Sequence, residues 1–292
     1  IFLERNPQML LAYLALFARI FLLGYEKILV KKIGDGSESE AATFLYFLVS
    51  TVFILPMIPF SRMISGYEPL VYIAISSFIY CIAFLFYVKS LSIGEVSLVS
   101  PLYNFNVLFL LILTSIFLGE KITVLKLTGI LILLYGASLL NRQKSVLLSL
   151  KAMLKDKACA LMLACSFFMA IGRTIDGFVI RQVEHLMYAV LIYFFMSVFL
   201  FFYVWFNGKL KLAYEIYSSR KSVTLAAGAV NAYTYLLLLY AITKIDVSVA
   251  EPASMLSMIV TVILSHFILK ENIKGRIAGV FVIITGAWAL FI

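Results

Sequence analysis

The sequence predicts an all-α membrane protein, ten transmembrane helices folded as two inverted five-helix repeats, and composition, segmentation and internal repetition all point there. Of the 292 residues, 63% are apolar and 13% charged, against about 45–50% and about 25% in soluble domains. A water-soluble fold cannot hide that much hydrocarbon. The apolar residues fall in runs of the length, about 20 residues, that crosses a hydrocarbon core about 30 Å thick. Backbone amides in lipid must be paired within their own segment or in a closed barrel, and unbroken apolar runs lack the alternation of a barrel strand. The runs therefore read as helices.

The spans follow in order: 10–29, 41–60, 70–91, 96–118 and 122–140, then 158–180, 187–206, 223–243, 247–269 and 277–292. Most links are short, such as Gly94-Glu95 and Gly119-Glu120-Lys121, so consecutive helices are expected as antiparallel neighbours. Residues 1–140 make the first repeat, 141–157 a basic linker and 158–292 the second repeat. In the linker Val146, Leu150, Met153 and Leu154 share one helical face while Lys144, Lys151 and Lys155 occupy another. That pattern suits a segment lying along lipid headgroups, the alternative being a solvated linker with incidental leucines. The link after span seven carries Lys209, Lys211, Arg220 and Lys221 and shows no clear helical period. The chain starts at Ile1 rather than Met and stops inside an apolar run, as a trimmed piece would.

Repetition is the most informative feature. A shift of 151 lays the stretch from Ser90 to Ser97 on that from Ala241 to Ser248, and carries Pro101 to Pro252 and Glu120 to Glu271 without a gap. After a one-residue slip, Gly129 and Gly136 meet Gly279 and Gly286, and at a shift of 150 Glu26 falls opposite Asp176. A unit with an odd number of spans must enter the membrane from opposite sides in its two copies. Inverted repeats are a recurring design of secondary transporters, because two similar halves can exchange conformations around a central site.

The pattern Leu118-Gly119-Glu120-Lys121 followed by Gly129 and Gly136 returns as Leu269-Lys270-Glu271 followed by Gly279 and Gly286. With Ser90-Leu91 and Ala241-Ile242, each eleven positions before a proline, it resembles the EamA domains of the drug/metabolite transporter superfamily. The resemblance spans nearly the whole chain, with Lys270 in place of the first copy's glycine as one departure. It implies a central substrate cavity and transport, often export, of small organic metabolites, in a cell membrane (inner or plasma).

Ionisable groups inside spans are expensive in hydrocarbon and mark interiors and pathways. Arg19 and Glu26 lie two turns apart on span one, and Arg173 and Asp176 at i and i+3 on span six can neutralise each other. Glu251 stands just before Pro252, where the first copy has Ser100 before Pro101. A proline inside a helix frees a carbonyl one turn upstream, and interrupted helices at matching positions point to a transporter site. Ser100, Asn104, Asn231, Tyr235, Glu251 and Ser254 are the candidate substrate-binding residues, and Asp176, Glu251 and Glu26 the candidates for carrying a coupling proton or sodium ion. Cys81, Cys159 and Cys165 sit in apolar stretches without metal-ligand spacing.

Catalytic, phosphate-binding and metal motifs do not occur in the sequence, so no cofactor is expected. The net charge of +9 comes from Lys and Arg in the links, where they set membrane orientation rather than bind nucleic acid. Arg5, Arg62, Lys121, Lys126, Arg181 and Lys244 lie on the side of the termini and sixteen others on the opposite side. By the positive-inside rule the termini face out, whereas the resemblance places them inside. The expected partners are a small-molecule substrate and membrane lipids; the sequence sets no oligomeric state. A flippase of lipid-linked headgroups is the alternative reading; a membrane enzyme acting on lipid is a third, which lacks a catalytic motif in the sequence and which activity of the purified protein without vesicles would revive.

Overall fold

A computed structural model describes residues 7–62, 66–118, 123–140, 145–179, 183–242, 244 and 253–289. The long helices are α1 (Pro7–Gly34), α2 (Ser39–Ile54), α3 (Glu68–Ile93), α8 (Lys157–Val179), α9 (His185–Phe206) and α11 (Lys221–Ile242). Between α3 and α8 the chain forms α4 (Val96–Val99), α5 (Phe105–Leu118), α6 (Val124–Leu140) and the short α7 (Val146–Lys155). The remaining helices are α10 (Leu210–Ser219), α12 (Ser257–Leu269) and α13 (Arg276–Ala289). Among the described residues, seven apolar segments are long enough to cross a membrane, including Ser39–Phe60, which runs through α2 into a 3-10 turn, and Val96–Leu113. Three shorter apolar helices, α6, α12 and α13, stand where the other predicted spans lie.

The side chains are sorted as lipid demands. Large apolar groups such as Phe17, Ile116, Phe206 and Phe267 face outward, while Thr43, Ser50, Ser76, Ser77 and Ser90 are buried. Small residues inside let helix backbones approach closely, and their hydroxyls bond to carbonyls instead of meeting hydrocarbon. The hydroxyls of Thr43, Ser50 and Ser77, for example, donate to carbonyls four residues back.

Interhelical hydrogen bonds fix the directions. Lys31 Nζ donates to the carbonyls of Ser92 (2.7 Å) and Gly94 (3.1 Å), and Tyr87 reaches Glu26 lower down, so α1 and α3 run parallel. Ser90 Oγ donates to Ala158 O (2.7 Å) and Ser76 Oγ to Gly172 O (3.5 Å), so α3 and α8 run antiparallel. Arg220 donates to the carbonyls of Lys32 and Ile33, and Arg19 to that of Thr234, which makes α1 and α11 antiparallel as well. The second copy of the repeat thus starts opposite to the first. The pairings are reciprocal: α3 packs on α8 as its counterpart α11 packs on α1, while α2 meets α9 and α6 meets α13.

The α6–α13 pair packs backbone against backbone. A Cβ at Gly136 would stand 2.6 Å from Ile283 N, and one at Gly286 would stand 2.4 Å from Leu133 N. The glycines shared by the two copies are therefore close-packing sites, as small residues at membrane interfaces generally are. At the lysine-rich end, α7 is capped by Ser145 Oγ, which accepts from Leu148 N at 3.2 Å, and buries Met153 while Leu147 and Leu154 stay exposed. The link after span seven also forms a helix, α10, against the expectation of no period. Ala213 and Ile216 are buried and Leu210 and Tyr217 half-buried, an i, i+3, i+6, i+7 stripe that is present in the sequence among Lys209, Lys211 and Arg220.

Candidate functional site

Where the chain passes Pro101 the helix breaks. Lacking an N–H, proline cannot continue the ladder, so after the single turn of α4 the backbone tightens into a 3-10 stretch, Ser100–Asn104, before α5 resumes. Ser100 Oγ is fully buried there without a hydrogen-bond partner among the described residues. The second copy uses the same tighter bonding: Leu256, Met258 and Ile259 donate to carbonyls three residues back, at 3.1, 3.0 and 3.0 Å. The two irregular segments meet, with Asn104 Nδ2 donating to Met258 Sδ at 3.0 Å. Glu251 and Pro252 lie outside the described residues.

Arg19 is buried and spans this region. Its Nε donates to Ser254 Oγ at 3.0 Å and its Nη1 to Thr234 O at 2.8 Å, tying α1 to α11 and to the start of span nine. Asn231, on the same helix as Thr234, donates from Nδ2 to Ser50 Oγ (2.9 Å) and accepts from Tyr193 Oη (3.1 Å). The Tyr193 ring lies against that of Tyr235, with centroids 5.9 Å apart. Of the predicted binding residues, Asn231 and Tyr235 are thus joined through Tyr193, Ser254 is held by Arg19, and Asn104 faces Met258.

Arg19 and Glu26, expected on one face, engage different partners. Glu26 is buried beside Lys27 and accepts from Tyr46 Oη, with Tyr87 Oη at 3.4 Å. Asp176 on α8 accepts from Ser76 Oγ and Tyr80 Oη of α3, and the charge of Arg173 acts on it. Each acid is therefore held by hydroxyls of neighbouring helices. Composition gave no sign of Tyr46, Tyr87, Ser76, Ser50 or Tyr193, because isolated hydroxyls in spans are common and only packing brings them onto an acid or amide. Lys27 lies near the end of predicted span one, beside Glu26, and counts with the basic residues of the following link.

Among the described residues, every ion pair between the halves lies at the lysine-rich end. Lys209 Nζ reaches Glu38 (2.8 Å) and Glu40 (3.3 Å), and Arg276 pairs with Glu95. The Glu38 carboxylate, through its hydrogen bond, pushes the Lys209 ammonium above its ordinary pKa. A small cleft of about 170 Å³ between α12 and α13 is lined by Ile259, Val262, Ile263, Ile277, Val280 and Phe281. Having no polar group, it is not the site.

What this arrangement offers is a row of fixed donors and acceptors between two reciprocal halves, crossed by two broken helices. Comparison with known proteins agrees. No curated protein sequence matches the chain. Twenty solved chains match it in structure. One, described only as a crystal structure of a protein, shares 14% identity over 98% of each chain at a TM-score of 0.53, a likeness of fold alone. The family model described as "EamA-like transporter family" matches residues 10–142 and again residues 156–292. On that double match, the chain belongs to the EamA-like transporter family.

Proposed function

We propose that the protein is a secondary carrier that exports a small polar or amphipathic organic metabolite by alternating access between its two halves. In this reading α6, α12 and α13 complete ten crossings, and the substrate sits between the broken segments of spans four and nine. The observation that supports it is the meeting of those segments, Asn104 against Met258 with Arg19 reaching Ser254 and Thr234, which joins groups of both halves by hydrogen bonds. Such sites at the junction of inverted repeats are where transporters bind substrate. Ser100, Asn104, Asn231, Tyr235, Glu251 and Ser254 line it, with Arg19 holding Ser254 and Tyr193 holding Asn231. Glu26, Asp176 and Glu251 are the groups that would carry a coupling proton or sodium ion, Arg173 balancing the charge of Asp176.

The test begins with thermal unfolding of the detergent-solubilised protein across a metabolite library, since a ligand preferring the folded state raises its stability by mass action. Hits are then loaded into proteoliposomes. Counterflow of a hit that Glu251→Gln slows at least tenfold, with the melting temperature unchanged, is the expected result. Protein that is folded in vesicles yet moves no hit faster than empty vesicles do would end the carrier reading.

A further inference from the structure

Among the described residues three ionisable side chains are buried, Arg19, Glu26 and Lys27, all on α1. Arg19 donates to Ser254 Oγ and Thr234 O, and Glu26 accepts from Tyr46 Oη with Tyr87 Oη beside it. Lys27, at 3% exposure, makes no hydrogen bond or ion pair with the described residues. The charges that act on it are Glu26, opposite in sign, and Arg19, like in sign. The Glu26 carboxylate is engaged by the two phenols, so the three N–H donors of the Lys27 ammonium stay unfilled. A buried charge is costly unless it is paired and hydrogen-bonded, and an ionisable group kept inside a membrane protein marks a binding or transport role.

The surroundings of Lys27 are the two interrupted spans. It shares a face of α1 with Gly24, three residues before it, and Lys31, four after. Gly24 lies against span nine: a Cβ there would stand 2.7 Å from Val260 Cβ and 2.9 Å from Ser257 O, and its carbonyl accepts from Thr261 Oγ1 at 3.3 Å. Lys31 reaches the carbonyls of Ser92 and Gly94, just before α4 opens span four. Lys27 therefore faces the junction of spans four and nine, about 10 Å inside the end of α1 at Gly34. One turn apart, the two lysines behave differently: Lys31 spends its donors on backbone carbonyls, and Lys27 holds its own in reserve.

The repeat separates what the fold needs from what one half adds. At the shift of 150, Glu26 meets Asp176, so each copy has an acid, whereas Lys27 meets Gly177. The second copy builds the corresponding helix without a cation at that position.

We propose that Lys27 is the anchor for an oxyanion, the carboxylate or phosphate of a small organic substrate, and that the protein carries organic anions. The inference rests on the carrier reading and names its substrate class. A bound oxyanion fills the unused donors and cancels the buried charge through charge-assisted hydrogen bonds, which gain strength away from water. An uncharged solute leaves the ammonium desolvated and unfilled, and is rejected for that reason.

The test uses the full chain in detergent and begins without ligand, where an anchor and a structural lysine already differ. Lys27→Met removes a charge that nothing hydrogen-bonds and is expected to raise the melting temperature by several degrees; a fall would show the ammonium supporting the fold against Glu26, and would overturn the site. Binding is then read as the thermal shift given by acetate, succinate, inorganic phosphate and glycerol 3-phosphate, beside acetamide, succinamide and glycerol at equal ionic strength. At least one anion is expected to stabilise the parent and none of the uncharged compounds to do so, with the shift lost in Lys27→Gln and kept in Lys27→Arg. Stabilisation by the carboxylates alone or by the phosphates alone assigns the oxyanion. No shift with any anion, or an equal shift in Lys27→Gln, overturns the anchor. Lys27-dependent binding of an anion that does not cross proteoliposomes would uphold the site while ending the carrier reading; flux of an uncharged solute that Lys27→Gln leaves unchanged would end the anchor alone.

Discussion

Lys270 closes α12 in the left-handed region, with φ of 58°, and its N–H bonds back to Ser265 O. The first copy of the motif has Gly119 at this position, and glycine is the residue that meets no steric penalty there. An L side chain in that conformation costs about 1–2 kcal/mol. The side chain itself is exposed, so packing contributes little. Lys270→Gly is therefore expected to stabilise the protein by about 1 kcal/mol, and Lys270→Val, whose branched Cβ crowds the backbone further, to destabilise it by a similar amount. Thermal unfolding in detergent, followed by circular dichroism, reads both. An unchanged melting temperature in the pair would mean that the turn relaxes out of the left-handed region.

At the scale of helices, one tight constraint is the crossing of α6 and α13, where Gly136 and Gly286 let backbones touch. Gly286→Ala puts a methyl against Leu133 N and is expected to cost about 2 kcal/mol, with Gly286→Leu preventing the helices from meeting. Phe281→Leu on the exposed face of the same helix is the control, expected within about 0.5 kcal/mol of the parent. Melting temperature and the monodisperse fraction on gel filtration report the difference. Helices like these were legible in the sequence because lipid leaves one solution for a long apolar run, and Pro101 was legible as a break because its chemistry is local. The close crossing was legible through the repeated glycines. The hydroxyls around Glu26 and Asp176 were not, since Tyr46, Tyr87, Tyr80 and Ser76 come from helices whose rotation about their axes no periodicity fixes when apolar residues surround them. Nor was the partner of Glu271: the motif shows that a glutamate recurs, but only the packed halves show that it caps the other copy, accepting from Val96 N and Ser97 N.

For the molecule as a whole, the two sequence repeats are not two folding units. The helices of one half find their main neighbours in the other, α3 on α8, α1 on α11, α2 on α9 and on α11, and α6 on α13, with weaker contacts inside each half. Most helix–helix contacts among the described residues therefore lie between the repeats, and the covalent connection between α6 and α7 acts mainly through local concentration. Cutting the chain within residues 141–145 should leave an assembled protein. Two segments, 1–142 and 143–292, made together in one cell with an affinity tag on the first alone, are expected to co-purify in equal amounts and to melt within a few degrees of the intact chain. Either segment made alone would expose to lipid the buried polar side chains that its partner now covers, among them Arg19, Ser76 and Asn104 of the first and Ser254 of the second, and is expected to be degraded or to aggregate. Independent recovery of a stable, monodisperse first segment would show instead that each repeat holds its own core, and the reciprocal packing of the halves would then be a late docking step rather than the basis of the fold.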